Sequence, residues 1–423
     1  MFLTEEQQSI LDGKQGETKA KIMKTLIKYG ELYGAEKMVP VTQEYGHLVT
    51  NAGVISWKAA FNLMQRLIDD GALPKEKFTL DPRPYDKNVP CSPLEKLIFK
   101  IVYSQQKRYE KQLWQLGKKD EDAHTCTCYQ KEVGNIPKKG DVLSWAESSA
   151  VVYANSVLGA RCNRNSGILE LFGSVLGLVP AFGFILDDNR KADWIVEVKT
   201  TKKPEAQILG SAIGMKVVDQ VPFVKGLDKF IGNILDEKTT SYLKDFGAAT
   251  ASNGAVGLYH IENLTPEAVE LGEKIIKEGA KTYVIDDAEL ERVKASYPVI
   301  WEDPNAVPKL CFIGCPHLSL VQLIEWTERI EENLKKNGTK KVTIPTVFTT
   351  PTAVKKEFDK TEYAERLKKT GVVVSFICPL TYSASPGSSK VPVITNSNKF
   401  RTYSTARYYT DEEIADYITK EVK

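Results

Sequence analysis

Three of the seven cysteines stand where thiols can meet. Cys126 lies in AHTCTCYQ, after a long helical stretch and before a loop containing Gly and Pro. Cys315 lies in LCFIGCPH and Cys378 in VVVSFICP; each ends an apolar strand and is followed by Pro, which stops the hydrogen-bond ladder and fixes the turn. In open α/β sheets, ligands bind beyond the carboxyl ends of the strands. Cys315 and Cys378 are therefore expected at the same sheet edge, delivered by different strands. Thiolates gathered there can hold iron. Spacing alone leaves two other readings open. The three can be buried thiols that never meet, each acting as a small hydrophobe, or they can be part of a zinc site. Cys126-x-Cys128 is one residue short of C-x-x-C and no second pair follows, which weakens zinc.

The polar segments around these thiols are suited to an anion. SWAESSAVVYANSVLGARCNRNSG places Glu147, Ser148 and Ser149 at the start of an Ala-rich helix, where backbone N–H groups are free. The helix ends near Gly159, and Arg161 and Asn163 follow in the loop. Arg can bind a carboxylate through two parallel hydrogen bonds. TNSNKF gathers Asn396, Ser397 and Lys399 behind a strand containing Val391 and Val393. Lys399 can serve as a point charge for a carboxylate or phosphate. The plainer alternatives are a capped helix with solvated polar ends and a solvated lysine. His47 and His317 suit a proton donor or a hydrogen-bond partner beside a metal cluster; His260 equally suits a satisfied polar group at a strand end, and His124 is the fourth histidine. The common nucleotide and zinc-protease motifs are missing, and GSAIGMK at 210–216 has the wrong spacing for a phosphate loop.

Alternating strand-like and helix-like stretches position these residues. Thr4-Glu5-Glu6-Gln7 and Thr410-Asp411-Glu412-Glu413 are capping boxes. A second helix carries Ile22, Leu26 and Tyr29 on one face; Met38–Val41 is a short strand; Trp57–Asp70 is a helix. Ser92-Pro93 starts a helix expected to run to Leu116. Further on, strands are expected over Trp194–Val198, Tyr283–Ile285, Leu310–Ile313, Val342–Val347 and Val372–Ile377. Helices are expected from Thr265 to near Gly279, along Leu323–Leu334, and over Val354–Lys369. The continuous apolar run Val372–Ile377 reads as a strand covered on both faces. The pattern is that of doubly wound α/β layers.

A chain of 423 residues exceeds one ordinary core and suggests two or three subdomains, with boundaries near 130 and 300. The formal net charge of +2 gives no general pull toward nucleic acid or an anionic membrane. The opening MFLTEEQQSILDG lacks the basic and apolar regions of a secretory signal, and no apolar run is long enough to span a bilayer. An odd cysteine count without a regular framework argues against structural disulfides, so a cytoplasmic location is expected.

Taken together, these segments resemble the large subunit of the aconitase X family, a branch of the aconitase superfamily. The resemblance rests on MFLTEEQQSILDGKQGE, on CTCYQKEVGNIPKKGDVLSWAESSAVVYANSVLGARCNRNSG, on SNGAVGLYHIENLTPEA, on LCFIGCPHLS, and on FICP with TNSNKF. It implies an aconitase-like fold of α/β/α layers around one iron–sulfur cluster, [4Fe-4S] or [2Fe-2S], acting as a Lewis acid. The family's cluster cysteines match Cys126, Cys315 and Cys378, its substrate-contacting segment matches Glu147 and Ser148, and its lysine matches Lys399. His47 is a further catalytic candidate; Gly53, Val54, Ser56, Asp81, Pro82, Ser149, Arg161, Asn163, Asn396 and Ser397 are candidates for substrate binding. Members dehydrate cis-3-hydroxy-L-proline or mevalonate 5-phosphate.

The departures cluster near the pocket. Cys128 replaces a Pro, Cys162-Asn163-Arg164-Asn165-Ser166 replaces T-N-R-E-G, Phe376-Ile377-Cys378 replaces D-T-C, and Asp81-Pro82 replaces Asn-Pro. An added carboxylate at 81 disfavours a neighbouring anion, which speaks against the phosphorylated substrate. The family also has a small swivelling domain carrying a serine base. The chain ends at Lys423, so that domain is expected on a separate small subunit. Two other functions stay open at this stage: a non-catalytic iron–sulfur regulatory or binding protein on the same scaffold, and a metal-independent enzyme pairing His47 or His317 with a nucleophilic Cys.

Overall fold

The structure is a computed structural model and describes residues 1–49 and 54–421. Three sheet regions follow one another along the chain. The N-terminal region holds β1 (Met38–Pro40), β2 (Gly46–Leu48), β3 (Phe78–Leu80) and β4 (Leu178–Pro180), with β1 antiparallel to β4 and β2 parallel to β3. The middle region is a parallel sheet of β5 (Ala192–Val198), β6 (Pro222–Lys225), β7 (His260–Ile261) and β8 (Ile276–Ile285), in the order β7-β6-β5-β8. The C-terminal sheet is also parallel. It contains β9 (Leu310–Ile313), β10 (Thr346–Thr349), β11 (Val373–Ser375), β12 (Val393–Thr395) and β13 (Arg407–Tyr408), in the order β11-β10-β9-β12-β13. This is the mixed α/β architecture that the alternating pattern predicts. Among the described residues, no helix is long and apolar enough to cross a membrane.

Capping chemistry sets the helix starts. Thr4, Ser92, Ser319 and Thr410 each close a full capping box. GSAIGMK lies within the helix Ala206–Val217, which packs on the helix Glu237–Asn253. A Cβ on Gly210 would meet the Phe246 carbonyl oxygen at 2.4 Å, and one on Gly214 would meet that of Thr250 at 2.6 Å. These glycines serve close helix packing.

Several boundaries differ from the sequence pattern. The helix from Pro93 stops at Val102, and a second runs Gln106–Leu116. The helix after Thr265 ends at Leu271, because Gly272 turns to φ 54°, and Gly279 lies inside β8. Val354–Lys369 is two helices, Thr352–Phe358 and Glu362–Lys369. The strand expected at Val342–Val347 begins only at Thr346. Val372–Ile377 shortens to β11, an edge strand whose Val373 and Val374 are half-buried.

Candidate active site

The carboxyl ends of β9 and β11 release Cys315 and Cys378 at one rim of the C-terminal sheet, with β10 between the two strands. The loop carrying Cys126 reaches the same rim from the N-terminal region. Thr125 N–H donates to the Leu80 carbonyl at 2.7 Å, and Cys378 N–H donates to the Arg83 carbonyl at 3.0 Å. Backbone bonds to the segment 80–83 thus draw both thiol loops together. Cys126 and Cys315 influence one another electrostatically, as do Cys315 and Cys378.

His317 fastens this rim. Its backbone N–H donates to Cys126 Sγ at 3.5 Å. Its Nδ1 meets Thr125 Oγ1 at 3.1 Å and its Nε2 meets the Ile377 carbonyl at 3.0 Å, next to Cys378. Its carbonyl accepts from Lys244 Nζ at 3.1 Å. Burial holds the imidazole down to about 4, so the ring is neutral at physiological pH. One fully buried side chain therefore ties all three cysteine loops.

A buried ion pair faces the thiols. Glu147 caps the helix Ser148–Ser156, accepting from the Ser149 N–H at 3.1 Å and its hydroxyl at 2.7 Å. Lys399, from the helix Asn398–Tyr403, pairs with Glu147 Oε1. Burial pushes the Glu147 carboxyl up, but Lys399 and the Ser149 donors outweigh it and hold it at about 2. Burial also pulls the Lys399 ammonium down, and Glu147 with the Cys315 and Cys126 thiols raises it further than burial lowers it. Burial raises the thiols of Cys126, Cys315 and Cys378, and the Lys399 charge lowers each in part.

A second carboxyl behaves in the opposite way. Burial, then Glu147, pushes Asp81 well above the usual carboxylate range, and Lys399 recovers only part of the shift. His47 Nε2 stands 4.0 Å from Asp81 Oδ1, and neither atom has a hydrogen-bond partner among the described residues. His47 Nδ1 is fixed by Thr79 Oγ1 at 2.9 Å, and its ring packs edge-on to Trp145. Burial lowers this imidazole to about 4. Two carboxyls with ionisation tendencies driven apart are a recurring mark of acid–base sites.

The remaining candidates divide. Ser149 sits within the ion pair, Ser148 is half-buried at the first position of that helix, and Pro82 is buried beside Asp81. The Ser397 hydroxyl donates to the Cys315 carbonyl and so anchors that loop. Asn396 donates to Asp411 at 2.8 Å. Arg161 spends its guanidinium on the Ile185 carbonyl and on Asp187, and both amide atoms of Asn163 are bound to Phe182 and Phe184. The polar side-chain groups of these three are engaged by those partners. Val54 is half-buried, Ser56 is exposed, and Gly53 lies outside the described residues. Cys128, Cys162 and Cys311 are core residues. Sequence reasoning missed Glu170, whose carboxyl accepts from the Val49 N–H at 3.0 Å and which burial raises to about 7. Its sequence setting, a carboxylate in an apolar helix, was the available signal.

The three thiols suit an iron–sulfur cluster. Among the described residues, no three His, Cys, Asp or Glu side chains close round a single metal ion. A cluster spreads its thiolates over separate irons. All three cysteines are free, converge at one rim and are surrounded by hydrogen-bond donors and a cation.

Models of the first, second and third domains of aconitase X match residues 1–188, 192–295 and 308–416. The phosphomevalonate dehydratase large subunit of Thermococcus kodakarensis is 33% identical over 89% of each chain. That of Methanocaldococcus jannaschii is 31% identical over 95% of each. The crystal structure of Thermococcus kodakaraensis aconitase X in its holo-form superposes with a TM-score of 0.80 at 29% identity, covering 98% of this chain and 99% of the other.

Proposed function

Because the chain belongs to the aconitase X family and is a large-subunit hydro-lyase of that type, we propose that it dehydrates mevalonate 5-phosphate together with a separate small subunit. The observation that carries the reading is the enclosure itself: three thiols, the Glu147–Lys399 pair and the raised carboxyl of Asp81 at one sheet rim. Relatives matching nearly end to end and named phosphomevalonate dehydratase large subunits support the substrate.

Cys126, Cys315 and Cys378 would hold the iron–sulfur cluster, which when bound supplies Lewis acidity toward an oxygen. The protein's own groups divide the remaining work. Loss of water from a β-hydroxy acid removes a proton from the carbon beside the carboxylate and a hydroxyl from the next carbon. The C–H electron pair becomes the new double bond. Asp81, whose carboxyl burial and Glu147 push toward the protonated form, gives its proton to the departing hydroxyl. His47 Nε2, 4.0 Å from that carboxyl and unpaired, faces the same space. Lys399 keeps Glu147 ionised, and with Ser148 and Ser149 the pair positions the substrate. A serine on the small subunit takes the carbon-bound proton. A protonated Asp81 is neutral like the Asn it replaces, so it removes the objection to a phosphate.

The test is co-expression with the small subunit without oxygen, followed by mass detection of water loss from mevalonate 5-phosphate, cis-3-hydroxy-L-proline and short hydroxy acids. The expected result is a brown complex that dehydrates mevalonate 5-phosphate. A fully loaded complex that dehydrates only hydroxyproline, or nothing, refutes the substrate.

A further inference from the structure

The loop joining the helices Ser148–Ser156 and Leu169–Leu176 is tied down at almost every residue except one. Asn155 holds Cys162 by two bonds of 2.8 Å, to its carbonyl and from its N–H. Asn163 is bound through both amide atoms, at 2.9 Å to the Phe182 carbonyl and 2.8 Å from the Phe184 N–H. Asn165 donates to the Trp145 carbonyl at 2.9 Å, two residues before Glu147. Gly167 lies against the Val49 carbonyl, with 3.4 Å to an added Cβ. The loop is thus clamped between the start of the Glu147 helix and the segment following β2.

Arg164 is the exception. Its stem fills the space left by Gly257, where an added Cβ would meet Arg164 Cδ at 3.1 Å and Cγ at 3.2 Å. Its half-buried guanidinium makes no hydrogen bond or ion pair among the described residues. The other arginines of this region are spent: Arg161 on Ile185 and Asp187, and Arg190 on both carboxylate oxygens of Glu267. Burial lowers the Arg164 guanidinium, while Tyr403, Glu147 and Asp219 oppose the shift; the bond from the adjacent Asn165 to the Trp145 carbonyl keeps this part of the loop beside the start of the Glu147 helix. A partly desolvated cation without a partner is costly. A guanidinium fork suits a carboxylate or phosphate presented to it.

We propose that Arg164, and not Arg161, receives an oxyanion of the substrate, either its carboxylate or its phosphate, beside the start of the Glu147 helix. The inference rests on the dehydratase reading for the identity of the substrate, but not for the anion seat itself.

The experiment uses the anaerobic complex with its small subunit, as wild type, Arg164→Gln and Arg164→Lys. Thermal midpoints and visible absorbance report folding and cluster loading. Losing a charge-assisted pair is expected to raise KM for mevalonate 5-phosphate about 10- to 100-fold in Arg164→Gln, with a smaller change in kcat and partial recovery in Arg164→Lys. Inorganic phosphate and acetate, titrated calorimetrically into each complex, identify the group. Weakened phosphate binding alone marks a phosphate seat; weakened acetate binding alone marks a carboxylate seat. If wild type fails to turn over mevalonate 5-phosphate but Arg164→Gln still weakens binding of either anion, the substrate reading falls and the seat stands. Unchanged KM and unchanged binding of both anions in a loaded Arg164→Gln complex, or a wild-type complex that binds neither anion, overturns the proposal.

Discussion

The two histidines at the site, His317 and His47, are both fully buried and both held neutral, yet they are used in opposite ways. Every polar atom of His317 has a partner: its ring and N–H join its own Cys315 loop to those of Cys126 and Cys378, and its carbonyl takes Lys244. His47 has one ring nitrogen fixed and the other unpaired, facing an equally unpaired oxygen of Asp81. Buried polar groups are normally satisfied because each orphan costs about 1–3 kcal/mol. The C-terminal side of the enclosure therefore follows the rule of a scaffold. The N-terminal side departs from it where a substrate would supply the missing partners.

The sharpest way to break this contrast is to remove the scaffold side. His317→Ala leaves the Ile377 carbonyl without its imidazole partner and takes one partner from Thr125 Oγ1, which keeps Thr127, and should cost about 1–3 kcal/mol by denaturant unfolding. It should also abolish the visible cluster absorbance, because the Cys126 and Cys378 loops lose their common anchor. A variant with native absorbance and stability would show that the loops are held by other means. Next in size is His47→Gln, which touches the open side. Activity should fall about 100-fold, while absorbance and thermal midpoint stay near wild type. Parallel losses of cluster and activity would erase the distinction between the two histidines. On the same side, Asp81→Asn replaces the proton-giving carboxyl by an amide of the same shape that gives no proton, so kcat should fall by about the same factor. Substrate binding should be kept, and the alkaline limb of the kcat profile, where a proton donor ionises, should lose its dependence on this group; a KM unchanged only at low pH would mean that Asp81 is ionised near neutrality.

Much of the scaffold was readable from the sequence. Cys315 and Cys378 were legible because an apolar strand followed by Cys-Pro announces both a strand end and its direction. Capping boxes at Thr4 and Thr410 and the helix start at Ser92 were legible because they are local. The break after Val102 carries neither Gly nor Pro; the chain turns where Tyr103 sends its hydroxyl to the Thr381 carbonyl, a contact 278 residues away. The choice between Arg161 and Arg164 was equally hidden. They are three residues apart in an irregular loop, where no periodicity tells which side chain faces inward. That choice is made by distant partners, Asp187 for one and Gly257 for the other.

The smallest effect concerns a part of the molecule away from the thiols, and it tests whether raised carboxyls here are special to the site. Glu205 accepts from the Asp411 N–H at 2.9 Å and from the Tyr408 hydroxyl at 3.0 Å, joining the middle region to the C-terminal one. Burial, then the Asp411 charge, raises its carboxyl to about 8. A folded-state value above the unfolded one means that the native state keeps a proton the unfolded chain has released. The resulting stabilisation is complete below the unfolded value and is lost as pH rises through about 8. Unfolding free energy should therefore fall across this window, by at most about 1.4 kcal/mol per pH unit for this group. Glu205→Gln, which stays neutral, should flatten the slope without altering KM. An unchanged slope in that variant would move the alkaline loss to the other raised carboxyls, Glu170 and Asp81 at the site or Asp411 and Glu76 outside it.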